Sequence, residues 1–172
     1  MPSSTTKRRQ RAFDSPRQEA YLNLWRTYDR LRALEDELFA GFDLTAQQYN
    51  TLRLLRGQHP KSLATLTIAR RLVSRAPDIT RLLDKLEQRE LISRQRKSEN
   101  RRVVQVCITV AGLELLTQLD APLRRCHERQ LGHLTADQLS QLIALLQIAR
   151  RPHEEPGQMW ANLLSACKSE RQ

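Results

Sequence analysis

The chain has 172 residues, with 29 Lys+Arg against 19 Asp+Glu and only 5 glycines. That is one ordinary domain with tails, long enough to bury a core and helix-leaning in composition. No apolar run nears the ~20 residues that span a bilayer, the N-terminus lacks a secretory apolar stretch, and the 3 cysteines cannot close a disulfide set. Membrane and secreted-scaffold classes are therefore excluded, and a reducing cytoplasm is the expected setting.

Residues 1–15 are polar and basic, with no apolar period, and read as a disordered arm. From Pro16 a long helix is expected, within an N-terminal segment 16–44. Leu24, Tyr28, Leu31, Leu34 and Leu38 fall on one apolar stripe, and Gly41 ends it. Thr45 with Gln48 forms a capping box, and Leu44 can staple onto Tyr49. This opens a helix over about 46–57 with Tyr49, Leu52 and Leu55 inward. Ser62 is placed to cap a short helix over about 63–72. A second short helix follows over about 76–89, with Ile79, Leu82, Leu83 and Leu86 inward. Pro77 fits its first turn, and Asp78 suits the positive end of its dipole.

The period then changes. Residues 91–96 and 103–108 alternate as strands around the polar tip KSENRR, a β-hairpin. Thr109 caps a long helix with Leu113, Leu116, Leu119, Leu123 and Cys126 on one stripe, and Pro122 is expected to kink it. Thr135 and Gln138 repeat the capping box for a helix over about 136–150. Beyond Arg150 the stretch RPHEEPG breaks the chain, and Met159 to Cys167 looks like a short docked helix in the extension 151–172.

Charge is concentrated. The net charge is +10. Residues 1–18 carry +4, and residues 68–106, with eleven bases and five acids, carry +6. Everything else sums to zero. A local cationic block attracts a polyanion. Its order, two short helices and then a basic hairpin, is that of a helix-turn-helix followed by a wing. The second short helix is expected to enter a DNA major groove. Pro77, Asp78, Thr80 and Arg81 then face base edges; Arg81 can donate twice to a guanine, and Asp78 can accept from cytosine or simply hold the helix end. Arg70, Arg71, Arg75 and Lys85 suit phosphates. Lys97, Arg101 and Arg102 at the hairpin tip can reach the adjacent minor groove.

The run APDITRLLDKLEQRELISR, then NRRVVQVCIT and the helix opened by AGLELL, resembles the MarR family of bacterial winged-helix regulators. The resemblance spans about residues 17–150. It implies a mostly α fold with a small β-hairpin wing: a winged helix-turn-helix at 45–108 between long N- and C-terminal dimerisation helices, the latter at 109–150. It implies a homodimeric transcription regulator, most simply a repressor, on a pseudo-palindromic operator in double-stranded DNA. The stripes at 24–38, 113–126 and 139–149 fit dimerisation independently, because they lie outside the DNA-reading block and need covering.

The chain departs from the family's usual pattern in two places within that block. Asn100 stands where the family's wing carries the Asp of Asp-x-Arg, with Glu99 beside it and Arg102 keeping the Arg. Glu90 stands where a Gly is common, which predicts a wider turn. Family members that sense aromatic compounds place a pocket between the dimerisation helices and the winged domain; Tyr21, Trp25, Tyr28, Tyr49 and His59 are the candidates by location for a small aromatic effector, with plain core packing as the other reading of each. Cys107 and Cys126 read as buried small apolar residues. His127 and His133 lack one-face metal spacing. No cofactor, metal or catalytic constellation is expected. The rival reading is a winged-helix protein-interaction module with an acidic partner.

Overall fold

The computed structural model describes residues 13–72, 78–96 and 103–154. Residues 1–12, residues 73–77 with Arg75 and Pro77, residues 97–102 and the segment from 155 onward lie outside them.

Helix α1 (Pro16–Ala40) begins at Ser15, whose hydroxyl accepts from the Gln18 amide, with Pro16 in the first turn. Gly41 follows in right-handed geometry at φ −63°. The residue that reverses the chain is instead Asp43, at φ 53°. The Leu44 amide reaches back to the Phe39 carbonyl at 2.9 Å and the Asp43 amide to that of Ala40 at 3.0 Å. This satisfies two of the helix's last carbonyls. Helix α2 (Ala46–Arg56) opens with both halves of its capping box formed, and Leu44 and Tyr49 are both buried.

Ser62 does not cap a helix. Leu63–Ala64 form a short strand, β1, and α3 (Thr65–Arg71) starts from Ala64 without a side-chain cap. The Ser62 hydroxyl instead lies 3.0 Å from the Gln105 side-chain oxygen. The hairpin strands are β2 (Ile92–Arg96) and β3 (Val104–Ile108). Because β1 also pairs with β3, Leu63 opposite Val106, the expected two-stranded wing is a three-stranded antiparallel sheet in the order β1-β3-β2. Two residues of strand carry too little periodicity to be seen in sequence; the pairing partner selects them.

Helix α4 (Ile79–Gln88) starts later than 76, at the N-cap Asp78. Helix α5 (Val110–Leu131) is capped by the Thr109 hydroxyl and runs through Pro122 as one element. Helix α6 (Ala136–Arg150) carries a complete capping box at Thr135 and Gln138, and a single 3-10 turn follows at Arg151–His153.

One core unites α1's end, α2, α3, α4, the sheet and α5. Its fully buried side chains include Phe39, Leu52, Leu55, Ile68, Leu83, Leu86, Ile92, Val106, Leu116 and Leu119. Each such apolar side chain contributes about 1.5–3 kcal/mol relative to exposure. The α5 stripe is thus covered within the chain, which corrects the expectation that residues 113–126 await a partner. Between helices, Arg56 of α2 grips the Asp120 carboxylate of α5 at 3.0 and 3.1 Å. The buried Gln130 amide of α5 donates to the Leu31 carbonyl of α1 at 2.8 Å. Gly112 in α5 permits a close approach: a Cβ there would collide with the Leu91 carbonyl and the Ile108 side chain. No described helix is long and apolar enough to cross a membrane.

Candidate nucleic-acid interface

The chemistry of α4 follows from where its apolar residues fall. Leu82, Leu83 and Leu86 are buried, and Ile79 packs against the same core. At 100° per residue this turns the opposite face outward, and Asp78, Thr80, Arg81 and Lys85 are all exposed. Asp78 is engaged as the cap: its Oδ1 accepts from the Arg81 backbone N–H at 2.9 Å. Of its two anticipated roles, holding the helix end is the one seen. The Arg81 backbone is fixed by this cap, while its exposed side chain forms no ion pair with a described residue.

Arg70 and Arg71 are exposed in the last turn of α3, where cations also complement the helix dipole. Arg70, Arg71, Arg81 and Lys85 form no ion pair with a described residue. Four cations with no ion pair among the described residues therefore sit on two consecutive short helices. Arg75, Pro77, Lys97, Arg101 and Arg102 fall outside the described residues, as do Glu99 and Asn100.

Two arginines of the same block are used differently, and sequence reasoning counted them only as charge. Arg94 on β2 is about a quarter exposed and binds back to α4, with Nη2 2.6 Å from the Asp84 carboxylate and Nε 2.8 Å from that of Glu87. Its backbone N–H also donates to Glu87 Oε1 at 3.1 Å. The hydrogen bonds that Arg94 donates hold the Glu87 carboxyl below its ordinary range, and the same bonds raise Arg94. Arg89, at the C-cap of α4, donates to the Phe42 and Asp43 carbonyls in the α1–α2 turn. The legible signal was an acid pair, Asp84 and Glu87, three apart in a block otherwise rich in bases.

The turn from α4 into β2 is not widened by Glu90. It closes with the Leu91 amide on the Leu86 carbonyl at 3.0 Å and the Glu90 amide on that of Glu87 at 2.8 Å. Glu90 takes φ 57° to do so, a left-handed position that glycine occupies without strain.

The five aromatic-pocket candidates do not converge within one chain. Tyr21 and Trp25 pair at 6.2 Å on the outer surface of α1, with Tyr28 exposed one turn on. Tyr49 is buried and stacks on Phe39 at 4.7 Å, and its burial pushes its phenol up. Phe39 lies fourteen residues from Trp25, about 21 Å along the helix. His59 is exposed in the turn after α2. Cys107 is half-buried and Cys126 buried; burial raises the Cys126 thiol, which works against a reactive thiolate. Among the described residues no group of three or more His, Cys, Asp or Glu is placed to hold a metal.

A helix-turn-helix with a three-stranded wing, exposing a cationic face on its second helix, defines a winged-helix protein. The MarR family profile matches residues 44–104. A MarR transcription factor from Planctomyces limnophilus is 63% identical to this chain, covering 79% of it and 98% of its own length, with a TM-score of 0.64. A MarR variant from E. coli, complexed with operator DNA, is 22% identical over 76% of this chain and 93% of its own, with a TM-score of 0.69. BpsR from Bordetella bronchiseptica, whose DNA binding is regulated by 6-hydroxynicotinic acid, is 21% identical over 76% and 98%, also with a TM-score of 0.69. The chain belongs to the MarR family of transcription regulators.

Proposed function

We propose that this regulator binds a pseudo-palindromic operator as a homodimer, acts as a repressor, and is released by a small aromatic ligand. The observation that carries the DNA reading is the split of α4: Leu82, Leu83 and Leu86 are buried while Thr80, Arg81 and Lys85 are exposed and unpaired among the described residues. Such a helix has a rigid seat and a free cationic face. Arg81, its backbone pinned by Asp78, reads a guanine edge, and Thr80 presses on a neighbouring base. Arg70, Arg71 and Lys85 neutralise phosphates, joined by Arg75 on sequence grounds, and Pro77 lies against the groove at the helix start. Lys97, Arg101 and Arg102 extend the interface into the minor groove.

Dimerisation is supported by two faces that no described residue of the chain covers. Trp25 and Tyr28 of α1 are 59% and 56% exposed, and Ile143, Leu145 and Ile148 of α6 are 55%, 64% and 63% exposed. Contiguous exposed apolar area of this kind marks an interface. Two half-sites with centres about 10 bp apart, or a multiple, follow from two-fold symmetry. Tyr21, Trp25 and Tyr28 sit where a dimer places its dimerisation layer, so an aromatic effector would bind there only with the second chain present, and Tyr49 is core.

The test is a duplex selected from a random library with the full chain. Arg81→Ala is expected to relax specificity at one base pair per half-site, by about 1–3 kcal/mol. Arg71→Ala should weaken all duplexes alike and reduce the slope of the salt dependence by about 1 for each phosphate no longer neutralised. Identical sequence profiles for the two variants overturn the roles. An affinity flat across rising salt, or no duplex binding at low salt, overturns the DNA reading and favours an acidic protein partner.

A further inference from the structure

The end of α1 lacks something that its own sequence does not supply. Its last turn carries no basic residue, although the C-terminal end of a helix carries the negative end of the dipole. Glu35, Asp36 and Glu37 precede it, so the local field is doubly unfavourable. The cation arrives from elsewhere. Arg89 lies 46 residues from Asp43 in sequence. It donates Nη1 to the Asp43 carbonyl and Nη2 to the Phe42 carbonyl at 3.2 Å, with the Asp43 carboxylate 3.7 Å from Nη1.

Both ends of this link are stiff. On the α1 side, Asp43 is held at positive φ by the two reverse hydrogen bonds to Phe39 and Ala40, and Phe39 is buried against Tyr49. On the α4 side, Arg89 sits in the helix-ending turn closed by Leu86 and Glu87, and the Thr109 hydroxyl donates to the next carbonyl, that of Glu90, at 2.6 Å. A guanidinium fork between two fixed backbones transmits displacement, where a single flexible ammonium would absorb it.

We propose that Arg89 is a positioning residue for operator recognition: a strut that fixes the end of α4 to the α1–α2 turn and so sets the spacing at which a dimer presents its two reading helices. This rests on the proposed DNA-binding dimer. A ligand or a DNA half-site that moves α1 moves α4 with it, and the coupling between the two is the strut's contribution.

Two measurements on the full chain test this. The first compares affinity for the selected duplex with affinity for the same duplex carrying one base pair inserted or deleted between half-sites. Arg89→Met is expected to reduce the discrimination between the two spacings about tenfold, the scale of losing hydrogen bonds to a charged group. Arg89→Lys, which keeps the charge but not the fork, should fall between. A residue that merely stabilised the fold would change both affinities alike and leave the ratio intact. The second follows hydrogen exchange in the free protein. Arg89→Met should speed exchange both at Asp43 and Leu44 and along α4, with α5 unchanged. An unaltered spacing ratio, or exchange faster on only one side of the link, overturns the strut. Failure of Arg81→Ala to change binding overturns the DNA reading instead, and the exchange result still decides whether the two elements are coupled.

Discussion

Helices α5 and α6 begin with the same device, a threonine whose hydroxyl accepts from the amide three residues on, and both carry leucine-rich apolar stripes. Yet α5 buries Leu116, Leu119, Leu123 and Cys126, while α6 buries none of its residues. The difference lies in what the described chain places beside each. Helix α5 finds α1 and α2 inside its own chain, through Gln130 and Asp120 as well as its leucines. Helix α6 has an apolar face and no described residue of the chain to cover it. Sequence periodicity reports that a face must be buried, not against which molecule.

The sharpest break between the two is a pair of identical truncations. Leu119→Ala removes a side chain with 0% exposure, and should cost about 2–5 kcal/mol in chemical denaturation. Leu145→Ala, at 64% exposure, should leave the unfolding of the isolated subunit within about 0.5 kcal/mol and act on self-association, read by sedimentation over a dilution series. Equal losses in denaturation at low protein concentration would contradict this sorting.

Next in size is the seam where α5 meets the wing. Glycine in a helix costs about 1 kcal/mol relative to alanine, yet Gly112→Ala is expected to destabilise, by about 1–3 kcal/mol. The reason is steric, since the new methyl meets the Leu91 backbone carbonyl, which cannot retreat while the Thr109 amide binds it at 3.1 Å. A gain in midpoint would show that the seam has room. The neighbouring turn gives the opposite sign. Glu90→Gly relieves a left-handed residue at φ 57° and should stabilise by about 1 kcal/mol, the left-handed penalty less the added entropy of glycine. An unchanged or lower midpoint would mean that the Glu90 side chain contributes more than its backbone costs.

The parts of this molecule that the sequence makes legible are those with local causes. The capping residues Thr45, Thr109 and Thr135, the alternation in Val104–Ile108 and the inward set of α4 depend on neighbours three or four residues away, and each appears where expected. What escaped depends on distant pairing. Leu63–Ala64 become a strand only because Val106 and Gln105 lie beside them. The same distance hid the destination of the α5 stripe. In the basic block, the outward placement of Thr80, Arg81 and Lys85 was readable from the helical period. The withdrawal of Arg89 and Arg94 from that surface was not, since their partners are set by how α4 docks on the α1–α2 turn and on β2.

That last division, between charges already paired and charges still free, can be tested at one carboxylate. Hydrogen bonds from Arg94 depress the Glu87 pKa in the folded state. A depressed carboxylate contributes stability above its unfolded pKa of about 4.3, and that contribution disappears as pH falls through the folded value. Glu87 is 38% exposed, so solvent screening holds the effect to less than about 1 kcal/mol. Glu87→Gln should therefore be less stable than the parent at pH 7, and the two urea midpoints should draw together as pH drops below about 4. Added salt should narrow the gap at pH 7. Parallel midpoints from pH 7 to pH 3 would place the Arg94–Glu87 pair outside the folding energetics, and Arg94 would rejoin Arg81 among the cations available to a polyanion.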